Sequence, residues 1–237
     1  MTYSDDCVLY VKEHQKDIVS KYCDLTKFVP SSNPMSFFMA GSPGSGKTEY
    51  SSNFVKSWER EHPESKILRL DADELRNLIP GYIGNNSDEV QRACTILLDK
   101  MQDYVLKNHQ SVFIDGTFSS PRSIENVGRH IEHGRTVGIM YLYQNPLIAW
   151  EYTKKREKLE GRTVPKEAFV RGYFESRENV NNVKRKFGDK IHLDLAIKNA
   201  DNSFSNTQFN IQDVNHYLSS ERYTPTSLLA ALPNLLE

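Results

Sequence analysis

Residues 35–48 read MSFFMAGSPGSGKT, an apolar run that passes directly into a glycine-rich segment ending in Lys47 and Thr48. The segment matches the Walker A pattern in full, and it lies between a predicted strand and a predicted helix, as that pattern requires. Glycines allow backbone amides to form an anion-binding nest, to which the N-terminus of the helix adds partial positive charge. The sequence therefore predicts a phosphate-binding loop made of Gly41, Ser42, Pro43, Gly44, Ser45, Gly46, Lys47 and Thr48.

The last two residues of this loop have defined chemical roles. In such loops the lysine reaches the β- and γ-phosphates of a nucleoside triphosphate, and the hydroxyl group of the following residue ligates Mg²⁺. We therefore expect ATP and Mg²⁺ as cofactors, with Lys47 acting in catalysis and Thr48 as a metal ligand. The alternative, a glycine-rich turn that precedes Lys-Thr by chance, is disfavoured by the strand before it and the helix after it.

Outward from this loop, short apolar runs alternate with helical segments. The runs are MSFFMAG, KILRLD, SVFIDG, TVGIMYLY and IHLDLAI. Strands that alternate with helices form parallel sheets covered by helices on both faces. The sequence thus predicts an α/β fold of the P-loop NTPase type, with the second strand lying beside the strand of the phosphate-binding loop.

Three further segments predict helices. Residues 4–24 have apolar side chains at near-helical spacing, and residues 87–109 predict a longer amphipathic helix with Ser87 as its N-cap. The highly charged stretch 154–171 contains a glycine and a proline, a composition typical of a lid made of a helix, a mobile basic loop and a second helix. Residues 199–210 are polar and predict a loop, which a short helix at 211–218 follows.

The length of 237 residues exceeds one typical domain of about 150 residues. We therefore expect a single domain with appendages. Its predicted parts are an N-terminal helical appendage (1–34), a P-loop domain with a lid at about 154–171 (35–198) and a C-terminal extension (199–237), whose last fifteen residues are weakly patterned.

Composition excludes several classes of protein. Thirty Lys and Arg against thirty-one Asp and Glu give a formal charge of −1, which disfavours nucleic acid as a partner. The longest apolar runs of five to eight residues are far shorter than the roughly 20 residues needed to cross a membrane. The N-terminus lacks the pattern of a secretion signal, so we expect a cytoplasmic protein. Cys7, Cys23 and Cys94 have no metal-binding spacing and predict buried free thiols.

Two carboxylates end the second predicted strand in the sequence DADELR. Asp71 is explained as the N-cap of the next helix, in a capping box with Glu74. Carboxyl ends of parallel strands are where α/β proteins bind ligands, and a carboxylate there can accept the proton of a substrate hydroxyl during phosphoryl transfer. We therefore interpret Asp73 as the candidate general base, although it also suits the dipole of that helix.

Asp115 ends the third predicted strand, as the aspartate of a Walker B element does. It is a candidate for holding Mg²⁺ through water or for contacting the substrate, and a structural role at the strand end is the alternative. The Asp-Glu pair of motor ATPases and the Asn-Lys-x-Asp sequence that reads guanine are both missing. Motor ATPases and GTPases are therefore disfavoured.

Arg156 and Arg162 flank the glycine of the predicted lid. A phosphoryl-transfer site needs mobile positive charge near the γ-phosphoryl group, where one arginine can contribute about 10³ to 10⁵ in rate. We expect both to act in catalysis. Arg171, on the next helix, is explained more simply as a solvated surface charge.

The order of these motifs from Phe37 to Phe174 resembles the zeta toxins of bacterial epsilon/zeta toxin–antitoxin systems, which are P-loop kinases of UDP-N-acetylglucosamine. DADELR is similar to the family's Asp-x-Asp-x-x-Arg/Lys motif, IDGT to its Ile-Glu-Gly-Thr, and GRTVPKE to its Arg-x-x-Pro-Lys segment. The resemblance implies the following roles: Asp73 as catalytic base, Arg76 as its basic neighbour, Asp99, Asp115 and Thr117 as substrate-binding residues, and Arg156 and Arg162 as the helix and lid arginines.

The chain departs from the family pattern on the side of the acceptor. Asp99 and Asp115 stand where the family has Glu, which retracts each carboxylate by about 1.5 Å. Ser119 replaces an expected arginine, for which Arg122 is a possible substitute, and Val127 stands where the family has a threonine. The ATP side of the pattern is intact, so the sequence favours a kinase more directly than it favours one acceptor.

The resemblance implies transfer of the γ-phosphoryl group to a hydroxyl, expected to be the 3′-hydroxyl, of a UDP-activated amino sugar, which would poison cell-wall synthesis. It also implies a small helical antitoxin as partner. Two alternatives remain at this point: transfer to another small hydroxylated acceptor, such as an antibiotic, a nucleoside or a nucleic-acid end, and a nucleotide-binding switch without transfer activity.

Overall fold

A computed structural model describes residues 2–161, 163–218 and 223–233. Across these residues the chain forms six strands and eight α-helices. The strands are β1 (Met35–Ala40), β2 (Leu68–Asp71), β3 (Val112–Asp115), β4 (Thr136–Tyr143), β5 (Ile191–Lys198) and β6 (Phe204–Gln208). The helices are α1 (Tyr3–Tyr22), α2 (Lys47–Glu61), α3 (Ala72–Arg76), α4 (Ser87–Lys107), α5 (Ser123–Glu132), α6 (Pro146–Glu160), α7 (Lys166–Phe187) and α8 (Pro225–Ala231).

The strands form one sheet in the order β2-β3-β1-β4-β5-β6. The first five strands are parallel, and β6 runs antiparallel to β5. The predicted α/β class is confirmed. The prediction that β2 lies beside β1 is wrong, because β3 lies between them. All four residues of β3 are buried, so this strand suits a position between two neighbours, whereas β2 forms the edge of the sheet.

Apolar side chains cover both faces of this sheet. On one face Met39 and Phe113 pack with Phe54 and Trp58 of α2. The opposite face belongs to a larger core that includes residues of α1, α4, α5 and α7. Because the parallel strands end at a common edge, the loop after β1 comes close to the ends of β2 and β3, where Asp71 is paired in register with Asp115.

Two segments of the C-terminal region differ from the sequence prediction. Residues 204–208, predicted as loop, form β6, whose side chains are almost all exposed and therefore carry no apolar alternation. The predicted short helix at 211–218 is a 3₁₀ turn at Val214–His216. The weakly patterned end contains α8, which starts with a capping box between Thr224 and Ser227.

Helix α8 covers α6 and α7, the two helices on either side of the loop in the predicted lid. Leu228 and Leu232 pack with Trp150 of α6 and Phe169 of α7. Trp150 Nε1 also donates to the carbonyl of Pro233 at 3.1 Å, and Lys166 Nζ donates to the carbonyl of Leu232 at 2.7 Å. Residues 228–233 are therefore held against α6 and α7 by apolar packing and by two hydrogen bonds.

Helix α1 packs on α4 and shares its core. Cys7, Val8 and Val11 of α1 are buried in the same cluster as Val90 and Ala93 of α4. The three free cysteines are all buried, as predicted. The division into residues 1–34, 35–198 and 199–237 remains a proposal, since both terminal parts contribute side chains to the main core.

The start of α4 corrects one prediction. The N-cap is Asn86, without a side-chain capping bond, and Ser87 is the first helical residue. The Ser87 hydroxyl instead donates to the carbonyl of Gly84 at 2.7 Å. The acidic first turn, Asp88 and Glu89, is as predicted.

None of the helices in the described parts of the chain combines the length and the apolar character that crossing a membrane requires.

Candidate active site

A cleft of about 1230 Å³ opens at the carboxyl ends of the parallel strands. Eleven of the residues that the sequence predicted for the site line it: Pro43, Gly44, Gly46, Lys47, Thr48, Asp73, Arg76, Asp99, Asp115, Thr117 and Arg156. Gly41, Ser42 and Ser45 belong to the phosphate-binding loop but do not line the cleft. Arg162 lies outside the described residues. Arg171 is exposed, as expected, and lines the cleft.

Two glycines of the phosphate-binding loop are required by the fold. Gly44 has φ +74°, and a Cβ atom there would lie 2.0 Å from the carbonyl oxygen of Ala149 in α6. Gly46 has φ +89°, and a Cβ atom there would lie 2.5 Å from Nζ of Lys198. Both positions combine a left-handed backbone with a close neighbour, so only glycine fits without a shift of the surroundings.

Helix α2 begins at Lys47, and no side chain caps its N-terminus. The first amides of a helix have no partner within the helix, so this N-terminus offers donors and partial positive charge to an anion in the cleft. Lys47 is buried, and its Nζ donates to the carbonyl of Ser42 at 2.6 Å. The loop thus has the chemistry of a phosphate site.

Asp73 lies in the first turn of α3 and lines the same cleft as this loop. It forms an ion pair with Arg76, whose second nitrogen donates to Gln91 at 2.6 Å. Nη2 of Arg156 lies 3.6 Å from the other oxygen of Asp73. The structure therefore brings three residues of the predicted site together, because Arg76 and Arg156 both lie next to the carboxylate of Asp73.

Arg69 of β2 joins the carboxylates behind this cluster. Its guanidinium pairs with Asp71 at 2.7 Å, with Asp115 at 3.0 Å and with Glu74. Asp71 also caps α3 by accepting from the backbone amide of Asp73 at 2.8 Å, so the cap is confirmed. The predicted capping box is wrong, because Glu74 pairs with Arg69 instead of returning to the backbone.

Burial and two neighbouring carboxylates change the acidity of Asp71. Desolvation comes first and the charges of Asp115 and Asp73 follow, and together they raise the pKa of Asp71 to about 6, against the lowering effect of Arg69. Asp115 is equally buried, and it accepts from the hydroxyl of Ser51 in α2 at 2.5 Å. The carboxylates of Asp71 and Asp115 thus lie close together, and the guanidinium of Arg69 forms an ion pair with each of them.

Asp99 of α4 faces the cleft with Arg122. Nη1 of Arg122 donates to Asp99 at 2.6 Å, and the same guanidinium reaches Glu125 at 3.3 Å. The possible substitute for the arginine missing at position 119 therefore lines the cleft and neutralises a predicted substrate-binding carboxylate.

The loop after β3 is tied to the phosphate-binding loop. The carbonyl of Thr117 accepts from the amide of Gly41 at 3.2 Å, and the hydroxyls of Thr117 and Ser119 lie 2.7 Å apart. Phe118 has φ +62°, an uncommon conformation for a bulky residue, and its buried ring packs edge-on against Phe38. The core holds this strained turn at the cleft.

Three residues that the structure places at or beside the cleft were not predicted from the sequence: Arg69, Lys198 and Ser51. Arg69 interrupts the apolar residues of a short strand, and Lys198 is a cation at the carboxyl end of β5, so each offered a weak signal. Ser51 offered none, since its partner Asp115 lies on a different element.

The residues present fit Mg²⁺ held mainly by a nucleotide. Within the described part of the chain no cluster of three or more His, Cys, Asp or Glu side chains could hold a metal ion. Mg²⁺ commonly keeps several waters and takes one or two protein oxygens together with substrate phosphates. The Thr48 hydroxyl and the Asp115 carboxylate both line the cleft and supply oxygen ligands of that kind.

Most of the chain matches the model of one known protein family. The model of the zeta toxin family matches residues 19–209. A search of curated protein sequences finds no match.

Solved structures show the same fold at low sequence identity. A structure from the PezAT chromosomal toxin–antitoxin system of Streptococcus pneumoniae has a TM-score of 0.65 and 16% identity, covering 97% of this chain and 95% of that chain. The AvrRxo1-ORF1:AvrRxo1-ORF2 complex with sulphate ions gives 0.63 and 13%, over 88% and 71%. The same complex solved with ATP gives 0.59 and 13%, over 99% and 74%.

Proposed function

Because the chain belongs to the zeta toxin family, we propose that this P-loop phosphotransferase is an ATP-dependent kinase of a UDP-activated amino sugar such as UDP-N-acetylglucosamine. The observation that supports it most is one shared cleft. The phosphate-binding loop lines this cleft together with Asp73 and the two arginines that pair with it. A nucleotide-binding switch would have no use for a carboxylate that faces an acceptor.

The donor side would bind the triphosphate of ATP. The amides at the start of α2 and the ammonium group of Lys47 would contact the β- and γ-phosphates. Thr48, and Asp115 through water, would hold Mg²⁺, which when bound neutralises charge on these phosphates. The ATP-bound structure of the AvrRxo1 complex, which has the same fold, is consistent with this assignment.

The acceptor side would position a hydroxyl, proposed as the 3′-hydroxyl of the amino sugar, and remove its proton. Asp73 takes the proton as the hydroxyl oxygen forms its bond to the γ-phosphorus, and the bond to the bridging oxygen breaks to release ADP. Arg156 lies 3.6 Å from Asp73 and can contact the transferring group and the base. Arg162 is proposed as the second cation of the lid, and Asp99, Asp115, Thr117 and Arg76 as acceptor-side residues.

Incubation with ATP, Mg²⁺ and a panel of acceptors tests this proposal. The panel contains UDP-sugars, nucleosides and aminoglycoside-like compounds, and mass spectrometry detects a gain of about 80 Da, one phosphoryl group. We expect the gain on a UDP-amino sugar and none with Lys47→Ala. A gain on another acceptor alone would leave a kinase and refute the sugar nucleotide, and no gain on any acceptor would favour the switch.

We also propose a partner, a small helical antitoxin that covers the nucleotide cleft. The related folds come from a toxin–antitoxin system and from a two-protein complex. If the kinase reaction is toxic, expression of the wild-type chain alone arrests bacterial growth, whereas equal expression of Lys47→Ala does not. Equal growth of the two strains at equal protein levels would refute the toxic role.

A further inference from the structure

Lys198, the last residue of β5, adds a second lysine to the phosphate-binding half of the cleft. We propose that its ammonium group binds a phosphate group of the nucleotide, beside the phosphate-binding loop and separate from Lys47. This inference rests on the proposed function in one respect: it takes the ligand of the cleft to be a nucleoside polyphosphate.

The burial of Lys198 is the first observation. The residue is only 7% exposed, and the pKa of its ammonium group is lowered by that burial. Among the described residues, no carboxylate forms an ion pair with it, and Glu49 acts on it only at longer range. A partly desolvated charge without a counter-ion is unfavourable, so an anion in the cleft would be a favourable partner for this ammonium group.

The geometry indicates where that anion would lie. A Cβ atom on Gly46 would lie 2.5 Å from Nζ of Lys198, so the ammonium group is adjacent to the backbone of the phosphate-binding loop. Lys198 lines the main cleft and also a side groove of about 330 Å³ along α2. The ammonium group therefore lies next to the loop whose amides, at Gly46 and Lys47, would receive a phosphate.

A structural role for Lys198 is the competing explanation. Its Nζ lies 5.8 Å from the ring centroid of Phe204, a cation–π contact. This ring is half exposed, and exposed contacts of this kind are weak. A structural lysine would affect folding and every ligand alike, whereas a phosphate-binding lysine affects only ligands that carry phosphate.

Calorimetric titration of the full chain with ATP, ADP, inorganic tripolyphosphate and adenosine separates these roles. Lys198→Met should raise the Kd of ATP, ADP and tripolyphosphate by about 10-fold to 100-fold, the loss expected for one charge-assisted hydrogen bond. Lys198→Arg should recover most of the affinity, because it restores the charge. The matched control is Lys190→Met, an exposed lysine immediately before the other end of the same strand, which should bind like the wild type.

Thermal unfolding of each variant without ligand completes the experiment. An unchanged Kd of ATP in Lys198→Met overturns the inference, and so does an equal loss for adenosine and ATP, which would indicate a packing role. Binding of tripolyphosphate that depends on Lys198, in a chain that phosphorylates no acceptor, would support this inference and refute the proposed kinase. Failure of the wild-type chain to bind any of the phosphate ligands would refute both.

Discussion

The two halves of the cleft handle charge in opposite ways. In the donor half, around the phosphate-binding loop, Lys47 contacts a backbone carbonyl and Lys198 has no ion-pair partner among the described residues. In the proposed acceptor half, three carboxylates each pair with an arginine: Asp73 with Arg76, Asp99 with Arg122 and Asp115 with Arg69.

This difference separates attraction from orientation. Lysine ammonium groups and helix amides concentrate anions, whatever molecule carries them. Carboxylates that are paired with arginines attract cations little, but they present fixed oxygen atoms to the hydroxyls of an acceptor. We therefore expect losses in the donor half to weaken nucleotide binding, and losses in the acceptor half to change rate and selectivity while nucleotide binding persists.

The largest effect is expected for Lys47→Ala in the donor half. Removal of its charge from the β- and γ-phosphates should lower kcat/KM by about 10³ or more. Steady-state kinetics with ATP and the acceptor found in the panel measure it. Lys56→Ala, at an exposed position of the same helix, is the matched control and should retain full activity.

Asp73→Asn is expected to cost about 10² to 10⁴ in kcat, because an amide cannot accept the acceptor's proton. The Kd of ATP should stay nearly unchanged, which places the loss in the acceptor half. Asp88→Asn, also in the first turn of a helix, controls for the lost helix-dipole interaction. If the Asp73 variant turns over as fast as the wild type, the assignment of the base is wrong.

Asp99→Asn should raise the KM of the acceptor by about 10-fold and leave the KM of ATP unaffected, because one charged hydrogen-bond acceptor becomes neutral. Asp103→Asn changes a carboxylate one turn further along α4 that pairs with Arg129 and does not line the cleft. Equal effects of the two substitutions would show that the cleft position of Asp99 is irrelevant.

The smallest effect concerns the stability of the acceptor half. The pKa of Asp71 is about 6 in the folded chain against 3.8 for a free side chain, so the folded state binds more protons between these values. The contribution of Asp71 to the free energy of unfolding therefore falls as pH rises from about 4 to about 6, by on the order of 1–3 kcal/mol. Asp71→Asn keeps an oxygen that can cap α3 and removes this dependence.

Urea unfolding of both chains at several pH values measures that difference. The stability of Asp71→Asn relative to the wild type should rise with pH up to about 6 and then remain constant. A difference that stays constant over this range would mean that the pKa of Asp71 is not raised.

The sequence predicts those features of the structure that depend on residues close to one another in the chain. The phosphate-binding loop, the alternation of strands and helices, and the carboxylates at strand ends depend on neighbouring residues, and the structure has them as expected. The order of strands depends on which chain segment reaches the centre of the sheet, so the prediction that β2 lies beside β1 is wrong. The exposed residues of β6 carry no apolar pattern, so that strand was read as loop.

Most of the residues predicted for the candidate site line one cleft, whereas few of the ion pairs between them were predicted. Asp73 and Asp115 stand out because they follow apolar runs, whereas Asp99 is implied by the family resemblance alone. The sequence also offers Arg76 as the neighbour of Asp73, but it does not reveal the pair of Asp115 with Arg69, which joins strands that are distant in sequence. The difference between the two halves of the cleft is therefore a property of the fold.

The contacts of residues 225–233 with helices α6 and α7 have a consequence for biosynthesis. A nascent chain leaves the ribosome from its N-terminus, so the sheet and phosphate-binding loop are complete before residues 225–233 appear. Until then Trp150 and Phe169 lack the cover that Leu228 and Leu232 provide, and Lys166 lacks its carbonyl partner. The contacts of residues 225–233 with α6 and α7 thus form later than the sheet and the phosphate-binding loop.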